Sequence, residues 1–497
     1  MFRKKRARQE ALFIPGKLSD FIPDDHILKR VDKVMDLSWV DDEVRGLYSE
    51  SAGRPCIEPE KALRLMIAGF FHGVVKDRKL MREAQVNMAY RWFCGYDLDE
   101  ALPDHSSLTR IRQRWGAKRF KEFFVKIVKQ CAQAGLVGGE MTHCDASLIR
   151  ADVSWQSLVV THVERVISEN QEIEDDAGQA PDVDGDNGKF DQKGPGRTET
   201  AKRTKVKIKK VSKTDPEASM ATSNKKQRLE PTYKQHTAVD DKAGVIVDVE
   251  VTTGEANEGQ KLVEQIERVE ETTGKRPKVV TADKGYGSGS NYDALEKLGV
   301  TGVIPPAKER YPKGNMPLSR FRYDAEHDVV RCPGKKLLTR RNRNEHGFFY
   351  KARGCDCKSC RFRDGCVSKS GRARSVLIVD GYVALLRARR KKRQGWDGET
   401  VDAYRRHRYQ VEGVHGEEKT EHGLARAVRR GLWNTQIQSY LCAMVVNLKR
   451  LAETLERSAC AEGCLADVCG LYRRLRGALG RFLGQLVNHR AALPDCV

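Results

Sequence analysis

Between residues 230 and 305 the chain alternates strand-like and helical patterns, and this alternation most narrows the folds open to it. TYKQHTAVDDKAGVIVDVEVTTG holds two β-rich runs around Asp240-Asp-Lys-Ala-Gly244, a hairpin signature. QKLVEQIERVEETTG has a helical pattern. RPKVVTADKGYGSG reads as a buried strand, Val279 to Ala282, which stops at Asp283 and a glycine-rich loop. NYDALEKLG predicts another helix and VTGVIPP another strand. The order strand, hairpin, helix, strand, helix, strand predicts a mixed α/β sheet. Upstream, MTHCDASLI adds a short strand around Asp145.

The flanking segments have other characters. Residues from about 55 to 135 read as helical, with Leu63, Met66, Ile67, Phe70 and Phe71 at helical spacing and Pro59 near a helix start. A second helical stretch opens near Asp104 to Ser107 and runs basic through Arg110, Arg112, Arg114, Lys118, Arg119 and Lys121, a composition suited either to a DNA groove or to a solvated face. LVVTHVERVI reads as a helical piece. Residues 169 to 228 turn acidic and then basic without periodicity and predict a mobile polar insertion. The expected division is a helical DNA-binding domain at 1–138, the first part of the sheet domain at 139–309, a cysteine-rich basic module at 310–400, the last helices of the sheet domain at 401–458 and a C-terminal amphipathic helix at 459–497.

Lys and Arg together number 90 against 69 acidic residues, a net charge of +21, so a polyanion, nucleic acid first, is the expected partner. No run of about 18 apolar residues suggests a membrane span. MFRKKRARQEALFIPG is basic but has no apolar signal-peptide core. Most of the 14 cysteines lie singly, which fits a reducing, cytoplasmic setting.

Three carboxylates are placed where they can meet. Asp145 is mid-strand, where an unpaired charge is costly unless it serves a site. Asp283 ends its strand, where open α/β sheets put ligands. Glu412 lies in YRRHRYQVEGVHGEEK with Arg408 four residues before it and Lys419 seven after, all on one face of an ideal helix. Such a carboxylate set suits two hard divalent cations, Mg²⁺ or Mn²⁺, and two-metal phosphodiester chemistry. Arg408 and Lys419 suit phosphate. So does the run Arg387 to Arg393, which includes Arg389, Arg390, Lys391 and Lys392.

HCDAS, VVTADKGY and the Arg-x₃-Glu-x₆-Lys spacing resemble signatures of bacterial insertion-sequence transposases of the DDE type. GRPCIEPEKALRLMI, YRWFCGYD, LPDHSSLTRIRQR and KTDPEA are also similar to segments of that group. The resemblance spans roughly residues 50 to 450. It implies an RNase H-like core interrupted by an insertion before its last catalytic helix and preceded by an all-α domain. It further implies Asp145, Asp283 and Glu412 as the catalytic triad, binding to terminal inverted repeats and target DNA, strand cleavage and transfer, and a homodimer on DNA. An RNase H-fold nuclease without strand transfer and a non-catalytic DNA-binding derivative are the alternatives. Two positions depart from the pattern: Arg405 stands where the family has Tyr, with Tyr404 one place upstream, and His415-Gly416 replaces an aromatic-Gly pair. Arg405 retains a phosphate-contacting role, and Asp152 is the alternative first carboxylate.

One cysteine cluster stands out. Cys357 and Cys360 form a C-x₂-C knuckle, with Cys332 and Cys366 as partners for a structural zinc site; Cys355 leaves the fourth ligand open.

Overall fold

The computed structural model describes residues 16–49, 56–161, 209–222, 228–309, 315–368 and 371–454. The expected C-terminal amphipathic helix and most of the expected polar insertion lie outside these residues.

The N-terminal part is helical, as its spacing predicts. Helices α1 (Ile27–Asp32), α2 (Val40–Arg45), α3 (Pro59–Phe71), α4 (Asp77–Val86) and α5 (Met88–Cys94) precede the long α6 (His105–Gln133). Pro59 opens α3, where its missing N–H costs nothing, and Asp104 caps α6 through the Ser106 N–H. Within α6, Gly116 has φ +67, and there the two halves of the helix bend apart. Arg112 does not join a solvated basic face: it is 3% exposed and pairs with Asp77, which also holds Arg429 at 2.7 Å. Arg119 likewise pairs with Glu43 and Glu122.

The main sheet contains β1 (Met141–Arg150), β4 (Ser219–Ala221), β5 (Glu230–Asp240), β6 (Ile246–Thr253), β7 (Val279–Ala282) and β8 (Thr301–Val303). Across it the order is β6, β5, β1, β7, β8, with the short β4 sharing the outer edge of β5. Strands β6, β5 and β1 are antiparallel, whereas β1, β7 and β8 are parallel. This is the expected RNase H-like arrangement. The hairpin at Asp240 to Gly244 joins β5 to β6, and Gly244 (φ +69) makes the turn. Helices α7 (Leu262–Thr273) and α8 (Gly289–Leu298) follow β6 and β7. Residues 432–454 form a helix whose Leu441, Cys442, Ala443, Met444, Val445 and Val446 are all at most 1% exposed, as befits an element covered on every side. Its Asn447 amide closes two 2.8 Å hydrogen bonds with the backbone of Ile246, and its Tyr440 stacks on Phe124 of α6. That helix thereby joins the N-terminal helices to the sheet.

Two readings are corrected. Leu158–Thr161 is a strand, β2, not a helical piece; its β-branched residues pair with β3 (Lys209–Ser212). Strands β3 and β4 also show that the end of the expected polar insertion is ordered.

Between β8 and the last helices lies a second antiparallel sheet of β9 (Arg322–Asp324), β10 (Val329–Arg331), β11 (Leu337–Asn344), β12 (Gly347–Lys351) and β13 (Ser375–Val379). The short helix α9 (Gly354–Lys358) carries two of the cysteines, and α10 (Tyr382–Gln394) carries the basic run. Then come α11 (Gly398–His407), a π-helical turn (Arg408–Glu412) and α12 (Gly413–Thr420).

Candidate active site

The sheet register brings the two aspartates together. Cys144 of β1 is level with Ala282 of parallel β7, so Asp145 and Asp283 follow side by side. Asp283 leaves the strand and caps the next turn, its Oδ1 accepting the Gly285 N–H at 2.6 Å. Asp145 is half-buried, and its partial burial pushes its pKa up to about 6, with His415 lowering it and Asp283 and Glu258 raising it.

The third carboxylate arrives on a distorted helix. Arg408 to Glu412 is a π-turn, not the regular helix that the spacing assumed, and such turns recur at functional sites. Gln410 donates to the Asp241 carbonyl at 3.0 Å and Val411 is fully buried, so the turn is seated on the β5–β6 hairpin. Glu412 remains 62% exposed and pairs with Arg408 at 3.2 Å. Tyr404, one turn upstream of Arg408, lies in the field of all three carboxylates: burial first, then Asp283, Asp145 and Glu412, raise its pKa. The π-turn itself packs against β1 and β5. Lys419 is on the buried side, where burial lowers its pKa against the pull of Glu418 and Asp145.

A buried polar chain beneath the carboxylates went unnoticed in the sequence. His143 Nε2 lies 2.9 Å from Asp241, its Nδ1 lies 2.6 Å from the Thr281 hydroxyl, and that hydroxyl lies 3.0 Å from His407 Nδ1. It ties β1, β7 and α11 together two residues from Asp145 and Asp283. Burial keeps both imidazoles below their usual pKa, His407 at about 4. Nearby, Glu418 is wholly buried, accepts from Gln235 at 3.1 and 2.9 Å and meets His415 at 3.3 Å. The available signal was position: His143 alternates with Asp145 onto the same face of β1.

The remaining predicted residues are dispersed. Arg405 is exposed and pairs with Asp402. Asp152 pairs with Arg426 at 3.2 Å. In α10, Arg389 donates to the Ala307 carbonyl and Lys392 sits 3.3 Å over the Trp396 ring, which meets Tyr404 edge-on. Arg390 and Lys391 are exposed.

Cys332, Cys357, Cys360 and Cys366 line one small cavity of about 20 Å³, from which Cys355 is absent. The Cys332 sulfur accepts the Lys336 N–H at 3.3 Å. Among the described residues, the group of possible metal donors lying within 4.8 Å of one another is Glu417, Glu421 and His422, not the cysteines. Lys449 and Arg450 already counter the charge of those two carboxylates, so that group is an ion-pair network.

The sheet thus carries Asp145 and Asp283 on adjacent parallel strands, and Glu412 stands on a late helical segment that follows the second sheet. The chain belongs to the DDE transposases: the family model described as "Transposase DDE domain" matches residues 200–448, half of the chain, including Asp283 and Glu412. A second, "Transposase domain (DUF772)", matches residues 16–114. Among solved structures, "Mos1 transposase paired-end complex with left transposon end" is 12% identical at a TM-score of 0.16, covering 51% of this chain and 61% of that one. The chain thus spans less than two thirds of that protein. "Crystal structure of the Mos1 Strand Transfer Complex" is 11% identical at a TM-score of 0.17, covering 74% and 79%. Likeness at these scores says nothing about the chemistry of this chain. No curated protein matches the chain. No helix among the described residues is long and apolar enough to cross a membrane.

Proposed function

We propose that this transposase binds the terminal inverted repeats of its own insertion sequence and cleaves and transfers DNA strands at Asp145, Asp283 and Glu412. The observation that supports the reading is the register that sets Asp145 and Asp283 side by side after adjacent parallel strands, with the π-turn that bears Glu412 packed against β1 and β5. An all-oxygen donor set suits Mg²⁺ or Mn²⁺, and the partial burial that raises the pKa of Asp145 to about 6 fits a place for a cation. Two such ions bound there would activate a water or a 3′-hydroxyl and stabilise the departing oxygen. Asp145 and Asp283 would offer oxygen ligands side by side, Glu412 would add one from the solvent side, and Lys419 supplies positive charge near Asp145. Arg408 and Arg405, both exposed, and the α10 cations Arg389, Arg390, Lys391 and Lys392 are assigned to DNA phosphates, with Arg390 and Lys391 the freest to reach them. The protein acts in the cytoplasm, on double-stranded DNA, as a homodimer.

The test is incubation of the purified chain with its element's end DNA, Mg²⁺ and a target duplex. Joined products support the proposal. Cleavage without joining favours a nuclease, and binding without cleavage favours a non-catalytic derivative.

Zinc at Cys332, Cys357, Cys360 and Cys366 is a further part of this reading. The shared cavity and the N–H to sulfur bond support it, and zinc would draw together sulfurs that now stand wider than a bound tetrahedron. Cys357→Ser is then expected to lower zinc content and open residues 330–370 to protease. Metal analysis and limited proteolysis check this, and a zinc-free wild-type preparation would refute it.

A further inference from the structure

We propose that Glu258 is a fourth carboxylate of the Asp145–Asp283 site, turned toward the same divalent cation and held by Lys234 until that cation binds. The proposal rests on the reading of this site as cation-binding.

Glu258 opens the 3-10 turn Glu258–Lys261, directly after β6 and before α7. That turn is fastened to the one that comes after Asp283. The buried Asn291 amide donates both to the Gly259 carbonyl at 2.8 Å and to the Tyr286 carbonyl at 2.9 Å. Gly285 lies at the junction. A β-carbon added there would stand 2.9 Å from Asp283 Oδ1 and 3.1 Å from Glu258 Oε2, so both oxygens close on one spot. A further acidic side chain, from another element, thus stands beside Asp283.

The charges at this spot are unbalanced. Lys234 lies 3.0 Å from Glu258 Oε1 and also donates to the Ala256 carbonyl at 2.8 Å, so it engages the side of Glu258 turned from Asp283. Glu258 Oε2 and Asp283 Oδ1 thus both border Gly285, and Lys234 meets only the other oxygen of Glu258, beside the half-buried Asp145. Carboxylates this close repel unless a cation joins them. Beside them, the Tyr286 hydroxyl is fully buried with no hydrogen-bond partner, and Asp145, Glu258 and Asp283 all bear on it. A buried hydroxyl left unpaired is costly and points to a missing ligand of the site. The competing account is that Glu258 only neutralises Lys234 and braces β5 against the turn.

Mn²⁺ titration of the full chain without DNA, followed by electron paramagnetic resonance, separates the two. Glu258→Gln is expected to weaken Mn²⁺ binding about tenfold, the loss typical of an outer carboxylate at a metal site. Lys234→Met, which frees Glu258, is expected to tighten it. Thermal melting without metal checks that both variants fold. Unchanged affinity in Glu258→Gln, beside a loss in Asp283→Asn, would overturn the role of Glu258 and leave the site standing. Weakening by both Glu258→Gln and Lys234→Met would identify a structural brace and also overturn it. A wild-type chain that binds no Mn²⁺ would remove the site and the proposal together.

Discussion

Alanine at Asp145, Asp283 or Glu412 is expected to cut strand cleavage by roughly a thousandfold or more, on the scale of losing a preorganised electrostatic group at a reacting centre. End binding should change little, because these carboxylates repel phosphate and contribute nothing to holding DNA. Cleavage of labelled end DNA in Mg²⁺, run beside a gel shift, measures both quantities. The outcome for Asp145 is the most informative, since the matched family segment begins downstream of it. Near-normal cleavage by Asp145→Ala would move the first carboxylate to Asp152, and equal loss of binding in all three variants would indicate misfolding.

Asp145→Asn is expected to stabilise the metal-free protein at neutral pH while inactivating it. The pKa of Asp145 stands at about 6 in the fold, above the ordinary value of 3.8, mainly through burial. The folded state therefore prefers the protonated acid. Its cost is absent below about pH 4, grows as pH rises from about 4 to 6, and is full above that. A shift of this size corresponds to roughly 3 kcal/mol at pH 7.5, from about 1.4 kcal/mol per pKa unit. Urea denaturation of both proteins at pH 4 and 7.5 should show the gain at the higher pH only. Mg²⁺ should stabilise the wild type and leave the Asn variant unmoved. A less stable Asn variant at pH 7.5 would mean that the ionised carboxylate is itself structural.

The parts of the fold that were legible are those whose pattern survives without distant partners. The strand Val279–Ala282 reads as buried from its apolar, β-branched run, and it lies inside the sheet between β1 and β8. The hairpin at Asp240 to Gly244 reads from its turn chemistry. Leu158–Thr161 misled because four residues carry too little periodicity, and its partner β3 is the basic stretch taken for loop. Arg112 read as part of a basic stripe suited to a DNA groove or a solvated face, yet Asp77, 35 residues upstream, takes it into the core. In the proposed site, Asp145, Asp283 and Glu412 stood out in the sequence as residue types at telling positions. The π-turn was not, since spacing arguments assume 3.6 residues per turn. Glu258 carried no local signal, because its nearness to Asp283 depends on two turns fastened by Asn291.

The insertion of a whole second sheet between β8 and α11 also has a consequence for the timing of synthesis. Asp283 leaves the ribosome roughly 130 residues before Glu412, which at about 5–20 residues per second is on the order of ten seconds. During that interval the nascent chain already carries its N-terminal helices and both aspartates but lacks the third carboxylate. The proposed carboxylate set is complete only once the whole second sheet has been made, so a chain that stops within that sheet carries both aspartates without Glu412.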